Sequence, residues 1–365
     1  MSITKEQVIE ALKTVDDPDL KKDLVTLNMV QDVVVEGTKV NFTVELTTPA
    51  CPLKELIKNN CIEAVQKISD DTLDIEILMT SNVTTTRQNS FVLPDVKNII
   101  AVASGKGGVG KSTVTANLAV ALAKSGASVG IVDADIFGPS MPTMFNCEHE
   151  KPGAFQKDDK NFIVPIQQYG VKLISMGMLT PQDSAIVWRG PMAGSALKQL
   201  IGDTMWGELD YLLIDLPPGT SDIHLTLVQS VPVTGAVIVT TPQKVALADA
   251  RKGLSMFQQE KINVPVLGII ENMAYFTPEE LPDNKYFIFG ENGGQKLSDE
   301  TNVPLLGQIP LVQSIREAGD NGFPIVMKDG VTADAFNMLA EAVASKVAIR
   351  NAQQEKTKIV DVKTV

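Results

Sequence analysis

Three shortages narrow the reading before any motif does. The 365-residue chain holds only three cysteines, Cys51, Cys61 and Cys147. That is too few for a disulfide framework and fits a reducing compartment, where any special role for a cysteine is chemical. Long apolar runs are also missing. Those at 212–214 and 236–239, even with their flanks, fall far short of the roughly 20 residues that a membrane span needs. The first ten residues carry charges where a signal peptide would be apolar. Positive charge is scarce as well: 32 Lys and Arg face 44 Asp and Glu, net −12. That balance argues against nucleic acid as the main partner, because phosphate backbones call for a basic surface. A local basic site for a small anion is still compatible with it. A soluble, cytoplasmic protein with no membrane partner is expected.

What is present suffices for a core, since 44% of residues are hydrophobic and 21% charged, and the length suggests two domains. Residues 1–80 read as a small α/β module. Thr4 and Gln7 form a candidate capping box ahead of Val8, Ile9, Leu12 and Val15 at helical spacing. The β-branched runs 29–35 and 40–46 flank Glu36-Gly37 and predict a hairpin. A helix over 53–67 and a strand over 73–79 follow, and more than half of the acidic excess lies within residues 1–95. The polar stretch 81–95 predicts a linker.

Beyond it the texture changes. Short unbroken apolar strands at 99–103, 129–133, 171–175, 211–215, 235–240 and 266–271 alternate with amphipathic helices. That pattern predicts a mostly parallel sheet covered by helices on both faces, over residues 96–350. The last helix is expected at 333–349 and a frayed polar tail at 351–365. No internal repeat is evident.

Between the strand at 99–103 and the helix near Lys111 lies Gly105-Lys106-Gly107-Gly108-Val109-Gly110-Lys111-Ser112, followed by Thr113. It satisfies the P-loop pattern. Glycines let successive backbone N–H groups converge on phosphate oxygens at the positive end of the following helix. Lys111 would reach the β- and γ-phosphates of ATP, and the Ser112 hydroxyl would ligate Mg²⁺. The fold class expected is therefore α/β: a P-loop NTPase domain preceded by a small α/β module.

Lys106 by residue type alone is a solvated lysine. The loop, however, resembles the deviant Walker A loop of the family that contains nitrogenase iron protein and the septum-positioning and chromosome-partition ATPases. The resemblance implies that Lys106 reaches across a homodimer to the partner's nucleotide, much as an arginine finger does. Asp133 and Asp135 end one strand, on the ligand side of an open parallel sheet. Asp135 either orients the attacking water or caps a helix. Asp215 ends another strand, before Pro217-Pro218-Gly219, where it would help hold the Mg²⁺ shell. Asn272 is either a turn residue or, as the resemblance implies, the reader of adenine.

Over nearly its whole length the chain resembles the Mrp/ApbC iron–sulfur cluster carrier ATPases. The match is carried by Asp133-Ala134-Asp135-Ile136-Phe137-Gly138-Pro139-Ser140, by Asp215-Leu216-Pro217-Pro218-Gly219-Thr220-Ser221-Asp222 and by Glu271-Asn272-Met273-Ala274. The first module resembles the metal–sulfur cluster assembly domain through Asp17-Pro18 and Thr47-Thr48-Pro49-Ala50-Cys51-Pro52. The resemblance implies an ATP-hydrolysing homodimer that binds an iron–sulfur cluster and passes it to apoproteins, with cluster-assembly factors as partners.

The chain departs from the family at one place. Where family members carry Cys-x-x-Cys after the Asn-Met segment, this sequence has Pro278 and Leu281, so conventional thiolate ligation is excluded there. Cys51 is the ligand candidate that remains. With Pro52 as the first helical residue, its sulfur would sit at a helix N-terminus, which favours thiolate. The alternative is a small buried hydrophobe, the expected fate of mid-helix Cys61. Cys147 carries no reading. Two other functions stay open: an ATP-gated scaffold that holds no cluster, and a positioning ATPase acting on membrane or DNA. The closing residues lack the apolar face that a membrane-bound positioning ATPase needs.

Overall fold

Thr4 starts the first helix as the capping box requires. Its hydroxyl accepts the Gln7 N–H at 3.3 Å while Gln7 Oε1 accepts the Thr4 N–H at 2.9 Å. The computed structural model that shows this describes residues 3–69, 72–87, 92–157, 160–178, 190–278, 280–281 and 284–360. The chain forms two compact units, one of residues 1–84 with 344–354, the other of 85–343 with 355–365.

In the first unit α1 (Lys5–Leu12) precedes a two-residue ladder of β1 (Asp16–Asp17) and β2 (Lys22–Asp23). The predicted hairpin is β3 (Val30–Glu36) against β4 (Lys39–Leu46), turning at Gly37 with φ +65°. After α2 (Lys54–Gln66), β5 (Asp74–Ser81) joins β4 in parallel. Burial alternates along β4, and its inward Phe42 and Val44 meet Val8, Leu12, Ile57, Cys61 and Val65 in one core. Helix α2 begins at Lys54 and not at Pro52, because residues 52–53 form a turn in which the Lys54 N–H reaches the Cys51 carbonyl at 3.4 Å.

The second unit runs β6 (Val96–Ser104), α3 (Lys111–Lys124), β7 (Val129–Asp133), α4 (Met141–Met144), β8 (Gly153–Lys157), β9 (Lys160–Val164), β10 (Ile166–Gln168) and β11 (Val171–Ser175). It continues through α5 (Gly190–Gly202), β12 (Leu209–Asp215), α6 (Asp222–Ser230), β13 (Gly235–Thr240), α7 (Lys244–Gln258) and β14 (Val266–Glu271). Its last elements are α8 (Gly293–Thr301), β15 (Leu305–Gln308), α9 (Gln313–Asp320) and α10 (Val331–Gln353), whose C-terminal end belongs to the first unit. Among the described residues the main sheet has eight strands, ordered β10-β11-β7-β12-β6-β13-β14-β15. Every pairing is parallel except that of β10 with β11. All residues of β7 and β13 are buried whichever way they point, as a sheet covered on both faces requires. The six apolar strands expected from the sequence all belong to this sheet.

The frayed tail requires correction. Residues 351–353 complete α10, the Thr357 N–H donates to the Thr86 carbonyl at 3.1 Å, and the Val360 N–H donates to that of Val228 at 3.0 Å. Part of the expected linker is likewise packed: Val83 is buried, and the Arg87 guanidinium bonds the carbonyls of Val92, Leu93 and Val96. Positions 88–91 and 361–365, included in those two expectations, lie outside the described residues. No helix among the described residues is long and apolar enough to cross a membrane.

Candidate functional site

Parallel strands bring their C-terminal ends to one edge, where loops gather. Register places Asp215 opposite both Asp133 and Val102, so β7 and β12 deliver their last residues side by side, with β6 running two residues further. The glycine-rich loop leaves β6 at that edge. Gly108 and Gly110 have φ near +80°, open only to glycine at low cost. A Cβ on Gly105 would overlap the Asp249 main chain of α7, so the first glycine serves close approach. Among the described residues, none accepts a backbone hydrogen bond from Gly107, Gly108, Val109 or Gly110. Four consecutive N–H groups ahead of a helix N-terminus make an anion cradle.

Lys111 begins α3 with only 6% of its side chain exposed. Its ammonium donates to Asp215 Oδ2 at 2.7 Å and to Ser112 Oγ at 3.3 Å, and lies 4.0 Å from Asp135 Oδ2. The Ser112 hydroxyl donates to the same Asp215 oxygen at 2.6 Å. The other oxygen, Oδ1, takes the Thr115 hydroxyl proton at 2.6 Å. The structure therefore brings Lys111, Ser112, Asp135 and Asp215 together.

Asp133 lies behind them, fully buried, accepting from Ser175 Oγ at 2.8 Å and from the N–H groups of Met141 and Asp135 at 3.2 Å. Burial, then the Asp215 charge, pushes its carboxyl up to about 7. Burial also raises Asp135, against the pull of Lys111. Among the described residues, Asp135 Oδ1 is buried without a hydrogen-bond partner. The oxygens of Ser112 and Asp215 are the hard donors that magnesium prefers. Among the described residues no three His, Cys, Asp or Glu side chains converge at metal distance, so water and phosphate oxygens would complete its shell.

Beside the loop opens a cleft of about 430 Å³, walled by Gly110, Thr113, Pro139, Asn272, Met273, Leu311, Ile315 and Arg316 among others. It is mainly apolar with polar groups at its edge, which suits a base and ribose. Asn272 stands between cleft and cradle, its Nδ2 donating to the Val109 carbonyl at 2.8 Å. Lys106 projects into solvent and, among the described residues, forms no ion pair.

The thiols do not gather. Cys61 and Cys147 are buried, and burial pushes both up to about 12, where a thiolate is not available. Cys51 is partly buried and packs against the first unit's core. It lies two residues before the Leu53 cap, off the helix N-terminus that the sequence suggests.

Thr115, Ser175 and Glu271 belong to the site's framework without having been expected there. Thr115 stands four residues after Lys111 on the same helix face, a signal present in the spacing. Glu271 takes the Gly294 N–H and the Gln308 amide, each at 2.6 Å, and so fixes the segment that follows Asn272.

The model of the NUBPL iron-transfer P-loop NTPase family matches residues 95–346, and that of iron-sulfur cluster assembly proteins matches residues 5–73. The chain is similar to an iron-sulfur cluster carrier protein of Synechocystis sp., with 49% identity over 95% of this chain and 99% of that protein. A protein of the same description from Deinococcus radiodurans is 44% identical over 94% and 96%. A solved nucleotide-binding protein in complex with ADP from Archaeoglobus fulgidus is 39% identical, with a TM-score of 0.56 over 65% of this chain and 91% of that one.

Proposed function

Since the chain belongs to the NUBPL iron-transfer P-loop NTPase family, we propose that it is an ATP-switched carrier that binds an iron–sulfur cluster and transfers it to apoproteins. The observation that carries this reading is the joining, in one chain, of a matched cluster-assembly segment to a phosphate cradle with an ordered Lys111–Asp215–Ser112 set.

As a P-loop ATPase it hydrolyses ATP to ADP and phosphate. Water attacks the γ-phosphate in line, and the chain's contribution is positioning and charge stabilisation. Lys111 and the four unbonded N–H groups take up charge on the phosphoryl oxygens. Asp135 offers the buried, unpartnered Oδ1 to the attacking water. Ser112 and Asp215, with Asp133 through water, would hold magnesium, which neutralises β- and γ-oxygen charge when bound. Lys106 completes the site of a second copy in a homodimer. Asn272 and the cleft take the adenine side.

The cluster is cargo. Cys51 is the thiol left to ligate it, one from each copy, with thiols of glutathione or of the client completing four. A second reading, an ATP-gated scaffold for clients or assembly factors that holds no cluster, is favoured by Pro278 and Leu281 and by the packing of Cys51 on its own core. Anaerobic reconstitution with iron and sulfide separates the two. The carrier predicts bound iron that falls at least severalfold in Cys51→Ala while ATPase activity persists. Equal iron in both proteins removes Cys51. No iron in any preparation, with ATP hydrolysis intact, establishes the scaffold. Lys111→Ala should abolish turnover in either case.

A further inference from the structure

We propose that the open edge of β5, in the first unit, is a docking site for an extended basic segment of another polypeptide, which adds to the sheet as a further strand. This surface belongs to the first unit alone and is independent of the nucleotide and cluster readings.

Among the described residues the sheet of this unit is ordered β3-β4-β5, so β3 and β5 are its edges. The two edges are built differently. The register of β3 against β4 shifts between Gln31 and Val34, and Asp32 in that stretch has φ +51°. Such a bulge deters pairing with a further strand. In contrast, β5 pairs with β4 without a shift along its whole length, and it contains neither the proline nor the lysine that commonly guards an edge. Its two ends fix which backbone groups face outward. The Asp74 N–H donates to the Thr38 carbonyl at 3.0 Å, and the Asn82 N–H donates to that of Leu46 at 2.8 Å. Facing alternates along a strand, so the even-numbered residues bond to β4, while the N–H and C=O of Ile75, Ile77, Met79 and Ser81 point away from it. Among the described residues these four have no backbone partner beyond that edge.

Side-chain burial shows the same opening. Val40, Phe42 and Val44 of β4 are at most 3% exposed, whereas Ile75, Ile77 and Met79, beside them on β5 and packed on the same core, are only half-buried. On the other face Leu78 is 61% exposed. A neighbouring strand would cover both sets. Charge selects its chemistry. Residues 1–84 hold 8 Lys and Arg against 15 Asp and Glu, and Asp74 and Glu76 stand exposed on the same face as Leu78. Glu76 meets Lys39 of β4 at 3.5 Å, an exposed pair that competes weakly. A second copy pairing edge to edge would bring two acidic units together, which like charges oppose. A strand that alternates basic with β-branched residues instead sets its cations beside Asp74 and Glu76. Its apolar side chains then close the core next to Ile75, Ile77 and Met79.

The test is an acetylated peptide of about ten residues alternating Lys and Val, titrated into the full chain and read as amide hydrogen exchange by NMR. Exchange at Ile75, Ile77, Met79 and Ser81 should slow at least tenfold, while Glu76 and Leu78, already bonded to β4, change little. Leu78→Lys should weaken binding at least fivefold. Ile77→Pro removes an outward N–H, leaves the bonds to β4 and should abolish binding. Both variants should hydrolyse ATP at the wild-type rate. If the proline variant does not fold, Leu78→Lys, at an exposed position, decides alone. No binding, or binding without protection at those four amides, overturns the proposal. Equal binding of a peptide with Glu in place of Lys, or of one with two valines replaced by proline, does so as well. Protection that appears without peptide and grows with protein concentration assigns the edge to a second copy and also overturns it.

Discussion

Asp133 and His224 show how single buried groups shape the pH response of this fold. Asp133 is raised from 3.8 to about 7 by burial and by Asp215. Between those values the folded chain holds a proton that the unfolded chain has released, so this contribution to stability is lost as pH rises through the window. His224 is buried in the first turn of α6 and lowered from 6.5 to about 4. Its Nδ1 accepts the Ser221 N–H at 3.3 Å, which places the ring proton on Nε2. Here the unfolded chain binds the extra proton, so stability is lost as pH falls from 6.5 towards 4. The two windows overlap with opposite sign and offset each other. Melting temperatures in EDTA should therefore separate them. Asp133→Asn should gain on wild type as pH rises from about 4 to 7, and His224→Gln should gain on wild type as pH falls over the same range. Parallel curves for all three proteins would contradict both assignments.

At the scale of elements, α7 is the support on which the phosphate loop rests. A Cβ on Gly105 would meet the Asp249 carbonyl group and the Ala250 nitrogen, main-chain atoms that cannot rotate away. Gly105→Ala should cost about 1–3 kcal/mol or more in denaturant unfolding, as overpacking does, and should weaken ADP binding by displacing the cradle. Gly138→Ala is the control. Its Cβ meets nothing within 4 Å, and both measurements should stay at wild-type values. The glycines also explain what the sequence concealed. The central strands were readable because burial on both faces leaves them unbroken and apolar. Helix α8 was not, because it opens on Gly293-Gly294, residues that propensity assigns to a loop. They are needed because side chains there would strike Pro242 and Glu271. Pro52 misled in the other sense, as a plausible first helical residue that the chain uses in a turn before Lys54. The hairpin strands β8 and β9 and the edge strands β10 and β15 are three to five residues long, too short for periodicity to register.

For the whole molecule the limit of legibility is strand order. Nothing local in the sequence says that β11 lies beside β7, yet that neighbour relation alone puts Ser175 opposite Asp133. The same limit applies to Lys106, whose task in the proposed dimer is set by a surface outside its own chain. Its ammonium is exposed and forms no ion pair among the described residues, while Lys111, five positions on, is buried and paired. Among the described residues the loop thus carries one lysine paired with a carboxylate and a second in no ion pair. If that second lysine serves another copy, hydrolysis needs two chains at once. Specific activity should then rise with protein concentration and saturate as ATP-loaded chains pair, which sedimentation velocity would register. Lys106→Ala should lose turnover on the scale of an arginine finger, about 10³-fold, with ADP affinity in the monomer little changed. A specific activity independent of concentration, together with a Lys106→Ala protein that hydrolyses normally, would leave Lys111, Ser112, Asp135 and Asp215 sufficient within one chain and remove the pairing from the mechanism.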